Sequence, residues 1–246
     1  VRLDAALVAR GLARSRGQAR DLIDAGRVHV NGAVARKASA AVADADAVTA
    51  ARDPWVSRAA HKLLGALAAT GTQVAGRRVL DAGASTGGFT QVLLEHGAAH
   101  VHAIDVGHGQ LVASLRADPR VTARDGLNLR DLTLADVGGV PVDLVVADVS
   151  FISLRLLVGP LRAITRPGGE ALLMVKPQFE VGRGGLDSRG VLADPALAPG
   201  LVDAVAAAAQ AAGWRETWRG TSPLPGENGN REFFLRLLAE PVGDAR

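Results

Sequence analysis

The run Arg78-Val79-Leu80-Asp81-Ala82-Gly83-Ala84-Ser85-Thr86-Gly87-Gly88-Phe89 decides how most of this chain is built. An apolar segment ends in an acid and a glycine turn, and Phe89 opens a helix-periodic stretch beyond it. A strand feeding a helix through glycines is the opening unit of a doubly wound α/β sheet. Working outward, apolar runs predict strands over Arg78–Leu80, Val101–Asp105, Val121–Ala123, Leu144–Ala147, Ala171–Val175, Trp214–Trp218 and Phe233–Leu238. Helical patterns fill most of the gaps, especially Leu154–Ile164 and Ala196–Ala212, and another covers Ser57–Leu67 ahead of the first strand. This alternation predicts a mostly parallel, Rossmann-like sheet with helices on both faces and its last strand antiparallel.

The first turn is spaced G-x-x-x-G and not G-x-G-x-x-G, the spacing that cradles a dinucleotide pyrophosphate. D-x-G-x-x-x-G suits S-adenosylmethionine, which has no phosphate to hold. Asp81, Gly83, Ser85, Thr86, Gly87, Gly88 and Phe89 are therefore candidate cofactor contacts. Asp105 closes the second strand, where an acid binds the two hydroxyls of a ribose. Asp125 closes the third and is a candidate for the adenine edge; a helix N-cap is the other reading of that residue.

A methyl donor does not identify its acceptor. Enzymes that methylate amino groups carry a [D/N]-P-P-[Y/F] run after strand four, whereas here that strand exits through Ala147-Asp148-Val149-Ser150-Phe151. The chain has no cysteine, which excludes disulfides, thiolate metal sites and the cysteine nucleophile normally needed to methylate C5 of a pyrimidine. No metal is called for. Strand five exits through Met174-Val175-Lys176-Pro177, so Asp148 and Lys176 share the carboxyl edge of the sheet, and the antiparallel last strand brings Glu232 to it. Of 28 basic residues only Lys37, Lys62 and Lys176 are lysines.

Taken in order, Lys62, Asp148, Lys176 and Glu232 resemble the Lys-Asp-Lys-Glu tetrad of the FtsJ-like ribose 2′-O-methyltransferases. The residue types fit the chemistry. A ribose hydroxyl is a poor nucleophile at neutral pH, so methyl transfer requires removal of its proton or stabilisation of the developing alkoxide. A lysine held between carboxylates can orient the hydroxyl and accept the proton. A second lysine offsets the carboxylates, and arginine could hardly act as a base. Lys176 is read as the base, with Asp148, Lys62 and Glu232 orienting and tuning it. A salt-bridge network closing the sheet edge is the competing structural reading.

The first fifth of the chain differs from the rest. Residues 1–50 carry eight basic and five acidic side chains, net +3, and the remainder holds 20 of each. Such an imbalance suggests a polyanion-binding module beside a neutral one. Leu3, Leu7 and Leu12 predict a short helix ending near Gly11. Ser15 and Gln18 form a capping-box pattern opening a second, with Ala19, Leu22 and Ile23 buried and Gly26 as its stop. Val28 and Val30 alternate with polar residues into the hairpin turn Asn31-Gly32, and Val34, Val42 and Val48 predict further short strands. Arg10, Arg14, Arg16, Arg20 and Arg27 cluster at the helix junction and strand entry, where a solvated face explains charge alone equally well. The ordered run RLDAALVARGLARSRGQARDLIDAGRVHVNG resembles an S4-like domain, a small α+β module; the resemblance covers residues 2–48 with Lys37 in register. It implies that these basic residues meet structured RNA. Residues 51–57, with Pro54 and Trp55, read as a linker, so the domains are expected at 1–50 and 58–246.

The combination is similar to the TlyA family, known both as hemolysin A and as ribosomal RNA 2′-O-methyltransferase. The runs DAGASTGGFT, AIDVGHGQL, ADVSFISL, VKPQFEVGR and GNREFF carry the likeness. It implies a class I methyltransferase fold and, as acceptor, a cytidine 2′-hydroxyl of 23S and in some members 16S rRNA in assembled ribosomal subunits. Gly182–Gly190, with Arg183 and Arg189, reads as a mobile basic loop that could close over RNA. Gly126-Leu127 stand before Asn128 where the family pattern has Arg-Thr, a departure on the adenine side. No apolar run reaches the length of a membrane span and the first residues lack the layout of a secretion signal, so a cytoplasmic protein is expected. A membrane-active cytolysin and a non-catalytic RNA-binding assembly factor are the alternatives. Oligomeric state is not readable from the sequence.

Overall fold

The computed structural model describes residues 1–241 except Arg14, Arg52, Arg183 and Glu227. The chain forms two compact units, Val1–Arg58 and Ala59–Arg246.

In the first unit, α1 (Leu3–Ala9) and α2 (Arg16–Asp24) pack beside a three-stranded antiparallel sheet of β1 (Val28–Val30), β2 (Ala33–Val34) and β3 (Val48–Ala50), ordered β2-β1-β3. Leu3, Leu7, Ala19, Leu22, Ile23, Val28 and Val42 form its core. Ser15 caps α2 by accepting the Gln18 N–H at 3.2 Å. Asn31 and Gly32 both have positive φ, 51° and 81°, the primed turn that matches the strand twist and fixes the register His29↔Val34. Val42 is not in a strand as its valine pattern predicts. Its neighbour Ala41 makes a single bridge to Arg2, and the next residues turn sharply. Asp46 accepts the Ala43 N–H at 2.8 Å, while Arg10 donates to the carbonyls of Ala43 and Asp46 at 2.9 and 2.7 Å. The segment read as a linker from sequence, 51–57, and Arg58 after it make contacts within this unit: Ala51 N–H donates to the Arg27 carbonyl, Arg27 pairs with Asp53 at 3.4 Å and Arg58 with Asp21 at 3.5 Å.

The second unit runs α3 (Ala59–Thr70), β4 (Arg78–Ala82), α4 (Gly88–Glu95), β5 (His100–Asp105), α5 (Ala113–Arg116), β6 (Val121–Asp125), β7 (Val142–Ala147), α6 (Val158–Ala163), β8 (Thr165–Val175), α7 (Pro177–Glu180), α8 (Ala198–Ala211), β9 (Trp214–Thr221) and β10 (Phe233–Ala239). Its sheet is ordered β6-β5-β4-β7-β8-β10-β9. The first five strands are parallel and β10 is antiparallel to both neighbours. The predicted helix over Leu154–Ile164 begins as a 3-10 turn, Leu154–Leu156, before α6, and α8 is likewise entered through Pro195–Leu197. Proline at 160, 195 and 199 removes the backbone donors of each early turn. Strand residues Leu80, Val145, Ala147, Leu173 and Leu235 meet Leu154, Leu157, Leu161, Val202 and Val205 in one buried face. Trp214 anchors the far end, its indole N–H donating to the Val158 carbonyl at 2.9 Å. This rigid sheet places the carboxyl ends of β4, β5, β7 and β8 and the start of β10 along one edge.

Candidate active site

At the exit of β4 the chain turns through Gly83, whose φ is +84°. A Cβ there would stand 2.7 Å from the Asp148 carbonyl oxygen, so conformation and the crossing of the β7 exit both demand glycine. The N–H groups of Gly83 and Ala84 donate to the Ile104 carbonyl at 2.8 and 3.2 Å, closing the turn onto β5. Ser85, itself at φ 48°, donates its N–H to Asp105 Oδ2 at 2.8 Å, and Gly107 N–H reaches Asp105 Oδ1 at 2.7 Å. The acid at the end of β5 is thereby fixed beside the glycine turn, each oxygen keeping a lone pair for a further donor.

These residues form one wall of a cleft of about 740 Å³. Val106, Gln110 and the segment 127–130 continue the wall, and Asp148–Ser153 with Leu156 face it. The size suits a small-molecule ligand. Of the cofactor candidates, Gly83, Ser85 and Asp105 line this space. Thr86, Gly87 and Gly88 carry the turn into α4. Phe89 packs in the core, buried and stacked on Phe234 at 6.5 Å. Asp81 lies buried under the turn, accepting the Thr90 hydroxyl at 2.6 Å with its other oxygen unpartnered. Burial pushes its carboxyl up to about 7. Asp125, the candidate for the adenine edge, is not among the residues that line the cleft. Its oxygens accept the Arg116 guanidinium and the Gly109 N–H, each at 2.9 Å, so it ties the 107–110 loop to α5. Leu127 and Asn128 take up that part of the wall, and Asn128 Oδ1 accepts the Arg130 N–H at 3.1 Å.

The tetrad resolves into two ion pairs. Lys176, just past β8, meets Asp148, just past β7, with Nζ 2.6 Å from Oδ1, and donates to Ser150 Oγ at 2.9 Å. Lys62 on α3 donates to Glu232 Oε2 at 2.6 Å, with only 6 % and 2 % of the two side chains exposed. The β8–β10 register pairs Val175 with Phe233, which sets Lys176 and Glu232 at adjoining positions. Asp148 lines the cleft, whereas Lys62 and Glu232 are buried and outside its lining.

Two features at this edge escape sequence reasoning. Phe151 is 92 % exposed at φ 64°, a conformation that non-glycine residues avoid. Its ring, on the cleft rim, lies 5.1 Å from that of Phe179 and is tilted 49° to it. Glu180, buried on α7, accepts from the Ser153 hydroxyl, the Leu154 N–H at 2.7 Å and Arg155 Nε at 3.2 Å, pinning the loop that presents Ser150 and Phe151. Helical periodicity shows neither, because both depend on a loop closing against α7.

Among the basic candidates, Arg16 and Arg20 converge on Asp4 with their side chains 53 % and 56 % exposed. Arg10 is occupied by the 43–46 turn, Arg27 pairs with Asp53, and Lys37 is exposed. The loop around Arg189 is a closed turn. Asp187 accepts the N–H groups of Arg189 and Val191, both at 2.9 Å, and pairs with the Arg189 guanidinium. Asn228 and Asn230 donate to the carbonyls of Arg189 and Gly190 at 2.9 and 3.0 Å. Arg14 and Arg183 lie outside the described residues.

Comparison with known proteins agrees with this architecture. Residues 55–238 match the model of the FtsJ-like methyltransferases and residues 1–48 that of the S4 domain. The 16S/23S rRNA (cytidine-2′-O)-methyltransferase TlyA of Mycobacterium tuberculosis is 54 % identical over 242 residues, 97 % of this chain and 90 % of that one. A solved structure from Streptococcus thermophilus, described as a hemolysin, superposes with a TM-score of 0.77 at 35 % identity, covering 98 % and 88 % of the two chains. An S-adenosylmethionine dependent methyltransferase from Mesorhizobium loti shares the fold at 18 % identity and a TM-score of 0.54, over 72 % and 97 %. With three quarters of its length matched and an S4 domain ahead of it, the chain belongs to the FtsJ-like methyltransferase family.

Proposed function

We propose that the protein transfers a methyl group from S-adenosylmethionine to the ribose 2′-hydroxyl of a cytidine in ribosomal RNA, 23S and in addition 16S, within assembled subunits. The observation that carries this reading is the Lys176–Asp148 pair, 2.6 Å apart, whose carboxylate lines a cleft shared with a glycine turn and a fixed acid. Similarity to the mycobacterial 16S/23S enzyme over nearly the whole chain supports the acceptor.

The cleft fits the cofactor by its own chemistry. Gly83 lets the β4 turn and the β7 exit meet along the cleft, and Asp105 has the lone pairs to accept two vicinal hydroxyls. Val106, Leu127 and Leu129 give apolar wall for a flat base. Bound there, the cofactor supplies a methyl group activated by a sulfonium. With the cofactor in place, its carbon–sulfur bond would break to leave a neutral thioether as the hydroxyl oxygen takes the methyl carbon, and Lys176 would take up the proton that the 2′-hydroxyl releases. Asp148 and Ser150 hold the Lys176 Nζ in place, and Asp148 stabilises the ammonium as it appears. Phe151 offers its exposed face to an unstacked base, the usual way a single nucleotide is gripped outside a helix. The first unit supplies affinity for RNA phosphate and shape without reading the reaction. Among the described residues no helix is long and apolar enough to cross a membrane, and nothing in the site calls for one.

The test uses purified protein, labelled S-adenosylmethionine, and unmodified small and large subunits offered separately, with Lys176→Ala alongside. Digestion and nucleoside mass spectrometry should show 2′-O-methylcytidine, lost or slowed at least about a hundredfold in the variant. Label in a base-methylated nucleoside would overturn the assignment of the tetrad.

A further inference from the structure

In the first unit, among the described residues, one charged side chain is wholly buried, Asp4. It sits in the first turn of α1, where its Oδ1 accepts the Ala5 N–H at 3.0 Å. The rest of its capacity goes to arginine. Arg2 donates Nε and a terminal nitrogen at 3.0 and 3.1 Å, Arg16 donates a terminal nitrogen at 2.9 Å and Nε at 3.3 Å, and Arg20 Nε stands 3.6 Å away. Three guanidinium groups, one from the start of α1 and two from successive turns of α2, therefore share one hidden carboxylate. About half of each arginine side chain remains exposed: 48 %, 53 % and 56 %. The hydrogen bonds from Arg2, followed by those from Arg16, hold the Asp4 carboxyl far below the usual carboxylate range, so it stays charged wherever RNA is bound.

One carboxylate is a poor match for three cations if neutralisation is its purpose, since the cluster keeps a net charge of +2. It is a good match for order. Each guanidinium has five N–H donors, and those not facing Asp4 point outward from a fixed fork. Without the carboxylate, Arg16 and Arg20 would be like charges one helical turn apart that repel and splay. Held by it, they are pre-organised for bidentate contact with phosphate oxygens and lose less freedom on binding.

We propose that Asp4 is a positioning residue for RNA binding, locking Arg2, Arg16 and Arg20 into a preformed phosphate-binding triad. This rests on the RNA methyltransferase reading above. Charge counting and positioning predict opposite signs. Asp4→Asn makes the protein one unit more positive, so bulk attraction alone would tighten its hold on RNA. The triad instead predicts binding to large ribosomal subunits roughly five- to tenfold weaker, with a plot of log affinity against log salt shallower by about one. The RNA KM should rise in step, with kcat and S-adenosylmethionine affinity unchanged and the far-ultraviolet circular dichroism retained. Equal or tighter RNA binding by Asp4→Asn overturns the proposal. If that variant melts below the assay temperature, Arg20→Lys repeats the test on an exposed side chain of the same charge; weaker binding is expected and unchanged binding overturns it. Wild-type protein that binds neither subunit would remove the RNA reading itself, whereas wild-type binding with an indifferent Asp4→Asn removes only the triad.

Discussion

Lys62→Met separates what the buried half of the tetrad does for stability from what it does for catalysis. Lys62 and Glu232 meet at 2.6 Å with almost nothing of either side chain exposed, and a Cβ on Gly226 would come within 2.7 Å of the Glu232 carboxylate, so the 222–226 loop lies over it. Removing the lysine alone strands a carboxylate in that space, a cost of about 3–5 kcal/mol. For a unit of about 190 residues, where each kcal/mol moves the midpoint by about 2–4 °C, Lys62→Met should melt about 10 °C below wild type. Removing both charges, Lys62→Met with Glu232→Leu, replaces the pair by apolar groups of similar bulk and should bring the midpoint back to within a few degrees. If the pair also tunes Lys176, that stable double variant stays slow by about a hundredfold or more in single-turnover methyl transfer. Thermal melting followed by circular dichroism and a rapid-quench assay on the same preparations give both numbers. A single variant within about 2 °C of wild type would refute the claim that the pair is sealed from water. A double variant with normal turnover would show that it is a structural clasp and that the chemistry belongs to Lys176 and Asp148 alone.

Phe151→Gly should raise stability by about 1 kcal/mol, because glycine adopts φ 64° without strain, while the RNA KM rises and cofactor affinity holds; a lower melting temperature would show that the contact with Phe179 outweighs the strain. The Asp81 carboxyl is raised to about 7, so between its unfolded value and pH 7 the folded state binds the extra proton and stability falls as pH rises. Asp81→Asn should accordingly melt above wild type at pH 8 with the gap closing toward pH 4, and melting curves with no such convergence would count against a protonated buried acid. Asp105→Ala should cut S-adenosylmethionine affinity measured by calorimetry at least about tenfold, whereas Asp125→Ala should leave it within about threefold, since only Asp105 lines the cleft. Equal losses in the two variants would refute that division.

The parallel sheet is legible because its central strands β7 and β8 are almost wholly buried and read as apolar runs, and the acid and lysine that follow them stand out at once. Asp105, Asp148, Lys176 and Glu232 follow from strand order alone, since each sits one residue or less beyond a strand end on the same edge. Lys62 does not. Its partner is 170 residues away, and no local pattern ties a helix ahead of the sheet to the start of its last antiparallel strand. Resemblance singles it out, and geometry shows why it matters. Asp125 is ambiguous in the sequence for a related reason: a strand-end acid looks the same whether it faces a ligand or pairs, as here, with an arginine on the preceding helix. Asp4 is invisible as an organiser because burial of a charged residue near a helix start is decided by arginines twelve and sixteen residues on. Val42 reads as a strand because burial and strand propensity coincide in valine, although only the burial is real.

The split of the tetrad into two pairs has a consequence for how the reaction is supported. Four charges side by side at a sheet edge would be costly if each had to find water, but each finds its opposite at 2.6 Å. The difference lies in access. The Lys62–Glu232 pair is shut away from the cleft and changes nothing as the reaction proceeds; its fixed dipole adjoins Lys176 at a constant strength. Lys176 and Asp148 are 10 % and 15 % exposed, open enough for a ribose hydroxyl to approach the amine yet shielded enough for the carboxylate to be felt strongly. On the proposed mechanism, positive charge arriving on Lys176 would meet the Asp148 carboxylate already 2.6 Å away at the neighbouring strand end, which would keep reorganisation small. An arginine in place of Lys176 would keep the ion pair and lose the acceptor. On the proposed mechanism, that is the physical reason for lysine at this edge in a chain that otherwise uses arginine almost everywhere.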